Sequence, residues 1–267
     1  MTSAEFDSLA GFVKSQIGLH LRPEKRALVE SRLAKRVASL GLPGFMAYLD
    51  ALKQNALPDE MEALSQALTT NVTAFFRESH HFQTLKQVAE RDFALRLERG
   101  EQVRIWSAGC STGAEPYSIA MTLRDCLSDL ALTRVRILAT DIDTNVLAKA
   151  RSGLYGARET EALPQETLDR HFIRETGGHR ISAQLREMVR FNPLNLIAPW
   201  PMRRDFTAVF CRNVVIYFDG ETQARLWQRI LAQIEPGGHL FIGHSERLDP
   251  AALKAVTSTG VTTYRKS

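Results

Sequence analysis

Apolar positions recur at helical spacing from Phe6 to about Thr70, as in Phe6, Leu9, Phe12 and Val13, with breaks at Arg22-Pro23, Gly41-Leu42-Pro43-Gly44 and Leu57-Pro58. The pattern predicts a small all-helical domain over residues 1–70. A further helix is expected from about Ser79 to Arg99. Beyond it the period changes: short apolar runs, Val103 to Ser107, Val135 to Thr140, Phe206 to Cys211 and His239 to Gly243, alternate with helical stretches. Strands that alternate with helices form a mainly parallel sheet covered on both faces, so residues 71–267 are expected to be a doubly wound α/β domain. Between Leu168 and Asn192 a polar stretch with a Gly177-Gly178 turn and short alternating runs predicts a small β excursion, about 168–192, from the main sheet.

Composition narrows the class. With 267 residues, 44% of them hydrophobic and 24% charged, the chain can bury one large core and a smaller one. There is no 18-residue apolar run, and the start MTSAEFDSLAGFVKSQIG is acidic and amphipathic, which argues against secretion and membrane insertion. Cys110, Cys126 and Cys211 are too scattered for a disulfide frame and form no CxxC pair, so a reducing cytoplasm and no structural zinc are expected. The net charge of +4, spread over 34 basic and 30 acidic residues, suits an acidic partner and does not by itself signal nucleic acid.

The candidate chemistry starts after the strand VRIW. Ser107-Ala108-Gly109-Cys110-Ser111-Thr112-Gly113 leads into a helix beginning near Glu115-Pro116. Glycines there let the backbone approach a ligand closely, and proline suits the first helical turn. The spacing is GxxxG, so the dinucleotide fingerprint GxGxxG is not met. At the end of the next strand, in ATDID, Asp141 can accept bonds from both hydroxyls of a ribose. The same two features also suit a tight strand-to-helix turn with a solvated acidic cap, so at this level an adenosyl ligand and a purely structural turn both stand.

Five segments in order are more specific: TTNVTAFFRES (69–79), GCSTGAEPYSIAM around the loop, ATDIDTNVLAKARSGLY (139–155), FCRNVVIYFD (210–219) and GGHLFIGHSE (237–246). Together they resemble the chemoreceptor glutamate methyltransferases of bacterial chemotaxis, the CheR family, over nearly the whole chain. The resemblance implies a class I S-adenosylmethionine-dependent methyltransferase domain, a helical N-terminal domain that docks on receptors, and a small inserted β-subdomain. It also implies a cofactor over the strand carboxyl ends, contacted by Asn71, Thr73, Arg77, Glu115, Asp141, Asn195, Leu196, Asn213 and Val214. The product would be S-adenosylhomocysteine, and no metal is implied. The family loop usually reads STGEEPYS, whereas this chain has Ala114 where the first glutamate is expected; Glu115 keeps the second.

Methyl transfer from a sulfonium to a carboxylate is an in-line displacement in which positioning dominates. A glutamate with a reference pKa of about 4.3 is already ionised at neutral pH, so no general base is required. Arg77 can orient a substrate carboxylate with its planar guanidinium, or equally hold the carboxylate of the cofactor. Tyr217 could add a phenolic hydrogen bond and an apolar wall. His80, His81 and His244 are assigned no role.

Lys25, Arg32 and Arg36 fall in one row of a helix starting near Pro23, since offsets of 7 and 11 residues return to one side at about 100° per residue. Such a row is either a solvated face or, given a coiled-coil receptor rich in Glu and Gln, a docking surface. The expected setting is the cytoplasm, at membrane-bound receptor arrays reached through protein contacts. The segment around Gly177-Gly178 is the other candidate surface, since in some family members the subdomain binds a receptor tail as an added strand. Two other functions share these motifs: methylation of another protein or small molecule, and a non-catalytic module that senses cofactor at receptors.

Overall fold

The computed structural model describes residues 1–57, 60–69, 71–203 and 205–267. Among the described residues, four α-helices, α1 (Ser3–Ile17), α2 (Arg26–Ser39), α3 (Phe45–Lys53) and α4 (Glu60–Leu68), build the N-terminal domain. Thr2 and Glu5 form a capping box at the start of α1, and Gly18 ends it in the left-handed conformation. The helical spacing buries Phe6, Leu9 and Val13 against Val29, Leu33 and Val37 of α2, Tyr48, Leu49 and Leu52 of α3, and Leu64 and Leu68 of α4.

Two cations of the expected basic row are engaged inside this domain. Arg36 forks onto the buried Glu60 with Nε and Nη2 both at 2.6 Å, and the Tyr48 hydroxyl donates to the same carboxylate at 2.7 Å. Arg32 Nη1 donates to the carbonyls of Ala67, Leu68 and Thr69, at 3.2, 3.4 and 3.3 Å, which lie at the C-terminal end of α4 where helix carbonyls lack partners. Lys25 is exposed and sits in a 3₁₀ turn, Pro23–Lys25, ahead of α2.

In the larger domain the first helical stretch, expected as one helix, is divided into α5 (His80–Val88), a π-helical turn (Ala89–Phe93) and α6 (Ala94–Glu98). The strands are β1 (Val103–Ala108), β2 (Val135–Asp141), β3 (Leu154–Tyr155), β4 (Phe172–Glu175), β5 (Gly178–Ile181), β6 (Val189–Pro193), β7 (Phe206–Cys211), β8 (Ile234–Ile242), β9 (Val256–Gly260) and β10 (Thr263–Lys266). Helices α7 (Ala114–Cys126), α8 (Asp129–Leu132), α9 (Thr144–Ser152), α10 (Ala157–Thr160), α11 (Gln165–His171), α12 (Ala183–Met188), α13 (Gly220–Ala232) and α14 (Pro250–Leu253) connect them. The main sheet runs β6-β2-β1-β7-β8-β10-β9, with β10 antiparallel to both neighbours and the other pairs parallel. This is the class I methyltransferase arrangement. One apolar cluster covers each face of the sheet, and the Phe210 and Phe241 rings stack at 4.1 Å between centroids.

The β excursion differs in extent from the 168–192 segment read in the sequence. Its three strands are β3, β5 and β4, in that order, so it opens at Leu154. The segment from Val189 onward pairs instead with β2 as the parallel edge of the main sheet. A two-residue strand leaves no periodicity to detect. An edge strand covered on one face alternates like a hairpin strand, as Val189 and Phe191 do, both being buried.

The helical domain closes over the carboxyl ends of the parallel strands. Leu19 bridges Phe218, the His20 N–H donates to the Tyr217 carbonyl at 2.8 Å, and Asn195 Nδ2 donates to the Gln16 carbonyl at 3.0 Å. A Cβ on Gly18 would stand 2.7 Å from Ile197 Cγ2, so glycine serves both the left-handed cap and the close approach. Lys14 Nζ is 2.6 Å from Asp219 Oδ2, while Asp219 Oδ1 caps α13 through the Thr222 N–H. Those two contacts, the lysine first, hold the Asp219 carboxyl down at about 2. A carboxyl depressed by folding stabilises the chain above its unfolded pKa and loses that contribution as pH falls through the folded value. The melting temperature of Asp219→Asn should therefore trail wild type fully above about pH 4 and converge with it toward about pH 2. A gap that does not change with pH would remove the ion pair from the account.

Candidate active site

A cleft of about 990 Å³, its open mouth included, lies at the carboxyl ends of β1, β2 and β7, where the strand order reverses between β1 and β7. Ile17, Leu19, Ser65 and Thr69 of the helical domain form one wall. The turn after β1 forms the floor. There the Gly109 and Cys110 N–H groups donate to the Thr140 carbonyl at 2.8 and 2.9 Å, and a Cβ on Gly109 would stand 2.2 Å from Val214 Cγ2. Only glycine lets the two loops meet at that point.

All nine residues expected to contact the cofactor line this cleft, as does Tyr217. Glu115 lines it and Ala114, which is buried at the start of α7, does not. Asp141 sits at the end of β2, with Oδ2 accepting from the Ser111 N–H at 2.8 Å and Oδ1 from the Asp143 N–H at 3.0 Å. Burial pushes its carboxyl above the ordinary value, against the pull of these N–H groups. Asn71 Nδ2 donates to Asp143 Oδ2 at 2.8 Å and the Asn71 carbonyl accepts from Ser111 Oγ at 2.9 Å, tying the 71–78 segment to the turn. The Asn195 side chain is spent on the domain junction, its Nδ2 on Gln16 and its Oδ1 accepting from the Ile197 N–H at 3.1 Å, which leaves its backbone for a ligand.

Arg77 lies in an irregular turn ahead of α5. Phe76 and Glu78 on either side hold φ of 52° and 57°, a region that non-glycine residues enter at a cost of about 1–3 kcal/mol each. Surrounding contacts impose the conformation: the Phe76 N–H donates to Ser118 Oγ at 2.9 Å, and the preceding Phe75 ring packs edge-on against Tyr155 and Phe172 at 4.8 and 5.6 Å. Arg77 Nη1 donates to the Val72 carbonyl at 3.2 Å, turning the guanidinium toward the cleft rim.

Two charged residues that sequence reasoning passed over organise the site. Arg212 is buried, with Nη1 donating to Glu115 Oε2 at 2.9 Å and Nη2 to the Arg77 carbonyl; Glu115 Oε1 accepts from Ser107 Oγ at 2.7 Å. Glu246 is buried too, and its carboxylate accepts four backbone N–H bonds: Val214 and Val215 on Oε1 at 2.9 and 2.8 Å, Asn213 and Gly243 on Oε2 at 3.0 and 2.6 Å. Both stand in the segments FCRNVVIYFD and GGHLFIGHSE, where a charge beside an apolar run is the one signal that could have found them.

His80, His81 and His244 gather around Glu78. His244 Nδ1 lies 3.0 Å from Glu78 Oε1, and His80, His81 and Glu78 bring three ligand-type atoms within 4.8 Å of one another. Arg212 Nη2, 3.6 Å from Glu78 Oε2, already supplies positive charge there. Desolvation works to raise the Glu78 carboxyl, but the His244 bond and Arg212 bring it below its ordinary value. Burial, with Arg212 next, pushes His81 down to about 3, so its ring is neutral at physiological pH.

An adenosyl cofactor fits these residues: a nucleoside-sized cleft, a turn whose glycine contact excludes any side chain, and a carboxylate at the end of β2. Asp141→Ala should weaken S-adenosylmethionine binding by about 1–3 kcal/mol, as for loss of charge-assisted bonds. Calorimetry reads this directly, and unchanged affinity in a folded variant would take Asp141 out of the site.

Comparison with known proteins agrees with this geometry. The family model described as the CheR methyltransferase SAM binding domain matches residues 71–264, and that of the CheR methyltransferase all-alpha domain matches residues 4–69. The chain is 43% identical to a chemotaxis protein methyltransferase of Escherichia coli, over 100% of this chain and 92% of that one. It is 41% identical to a probable chemotaxis protein methyltransferase of Rhizobium etli, over 95% and 96% of the two chains. A chemotaxis protein methyltransferase 2 of Pseudomonas aeruginosa is 42% identical, over 98% and 93%. With a cleft built for an adenosyl group and both domains matched, the chain belongs to the CheR family of S-adenosylmethionine-dependent chemotaxis methyltransferases.

Proposed function

We propose that this enzyme esterifies glutamate side chains on the cytoplasmic coiled-coil helices of methyl-accepting chemotaxis receptors, leaving S-adenosylhomocysteine and serving adaptation. The observation that carries the reading is the placement of Arg77 and Tyr217 together in the cleft lining, beside Asp141, Asn213 and Val214. The cofactor supplies an electrophilic methyl group. Arg77 holds and aligns a carboxylate that is already ionised, Tyr217 adds a phenolic edge and an apolar wall, and the helical domain walls one side of the cleft.

Among the described residues no helix is long and apolar enough to cross a membrane. Work in the cytoplasm at receptor arrays is part of the same proposal, as is docking through α2. Lys25 is the exposed cation of the row, while Arg32 and Arg36 lend their partly exposed guanidinium groups as well as bracing α4. Docking of this kind steers association and weakens with salt, since exposed charges are screened beyond about 8 Å at physiological ionic strength.

Labelled S-adenosylmethionine incubated with receptor-bearing membranes tests the reading. Label should appear on receptor glutamates, leave in mild alkali as carboxyl esters do, and fall as salt rises. Alkali-stable label, or label on other proteins alone, would replace the receptor glutamate with another substrate.

A further inference from the structure

We infer that Arg212 is a positioning residue for methyl transfer, acting through Arg77. The inference rests on the proposed role of Arg77 as the group that aligns the substrate carboxylate. Three observations carry it. The Arg212 guanidinium is buried and touches both sides of the site: Nη1 binds Glu115 of the cofactor turn at 2.9 Å, and Nη2 binds the main-chain carbonyl of Arg77 itself. The Arg77 carbonyl lies between two residues with positive φ, so the turn keeps its shape only while something outside it holds it. Glu78, the next residue, lies 3.6 Å from the same Nη2, so the guanidinium grips the turn at two successive residues.

Arginine is the side chain that this geometry demands. Its planar fork offers two nitrogens to two elements at once, and it stays charged when buried. The guanidinium also lies over the Phe82 ring, 5.8 Å from the centroid, which fixes its plane from α5. A lysine could reach Glu115 or the Arg77 carbonyl but could not hold both in fixed register. Arg212 also lines the cleft, but its Nη1 and Nη2 are engaged by Glu115 and by the Arg77 carbonyl. It sets where the Arg77 side chain starts from.

The test is a double-mutant cycle on the full-length chain with receptor membranes as substrate, reading single-turnover transfer at saturating S-adenosylmethionine and calorimetric affinity separately. Arg212→Lys should slow transfer about tenfold to a hundredfold, as expected for a misplacement of about 1 Å, with a much smaller change in affinity. In the Arg77→Ala background the same substitution should slow transfer no further. Hydrogen exchange of the segment 74–78 should also quicken in Arg212→Lys, a readout that needs no substrate and stands even if wild type methylates no receptor. Transfer at the wild-type rate, losses that multiply in the double variant, or unchanged exchange in 74–78 would each overturn the inference. Should Arg212→Lys not fold, Glu78→Gln, which weakens the second grip, is put through the same cycle, with a smaller slowing that vanishes in the Arg77→Ala background.

Discussion

Replacing Arg77 with alanine is expected to slow methyl transfer about a hundredfold, on the order of 3 kcal/mol of barrier, while weakening cofactor binding much less. The asymmetry follows from what transfer needs. Binding can draw on every wall of the cleft, whereas alignment of one carboxylate depends on one planar cation. Arg77→Lys should recover only part of the rate, because an ammonium keeps the charge and loses the fork. Single-turnover transfer, measured beside binding of S-adenosylmethionine and S-adenosylhomocysteine, separates the roles. Near-wild-type transfer would end the catalytic assignment. If transfer and binding fall together, Arg77 holds the carboxylate of the cofactor instead.

Loss of Glu246 should have the largest effect on stability. Its carboxylate accepts N–H bonds from Asn213, Val214, Val215 and Gly243, and it is 3% exposed. Glu246→Ala leaves four donors without their acceptor; since each buried unpaired group costs about 1–3 kcal/mol and water can reach some of them, a net loss of about 3–5 kcal/mol is expected. Glu246→Gln is the sharper test. It keeps the volume but turns an NH₂ toward backbone N–H groups, so it should also destabilise and should empty the cleft of cofactor by releasing Asn213 and Val214. Urea unfolding and calorimetry give both readouts. A glutamine variant with wild-type stability and affinity would show that hydrogen-bond acceptance by the carboxylate is not what holds the turn.

The elements legible in the sequence were those with long apolar periodicity: the helical domain and the strands β1, β2, β7 and β8. The short strand at Leu154 goes unread and the edge strand at Val189 is grouped with the excursion, because two residues carry no period and a half-covered edge strand alternates like a hairpin. The π-helical turn at Ala89–Phe93 was missed because it preserves apolar spacing on either side. At the site, the motif segments hold the expected cleft residues other than Asn195 and Leu196, which lie outside all five, since such segments mark a chain's approach to a ligand. They said nothing of how charges are spent. Arg36 pairs with Glu60, Asn195 holds Gln16, and Glu115 is shared with Arg212; each partner lies far along the chain where no local pattern marks it, and burial of Glu60, Glu115 and Arg212 obliges those charges to pair.

The junction that closes the cleft joins segments very distant along the chain: Asn195 reaches Gln16 across 179 positions, and Leu19 pairs with Phe218. Each domain can collapse on its own nearer contacts, whereas the junction must bring together parts of the chain whose loop closure carries the larger entropy cost. A ligand that spans the junction binds chains in which it has closed and stabilises them by mass action.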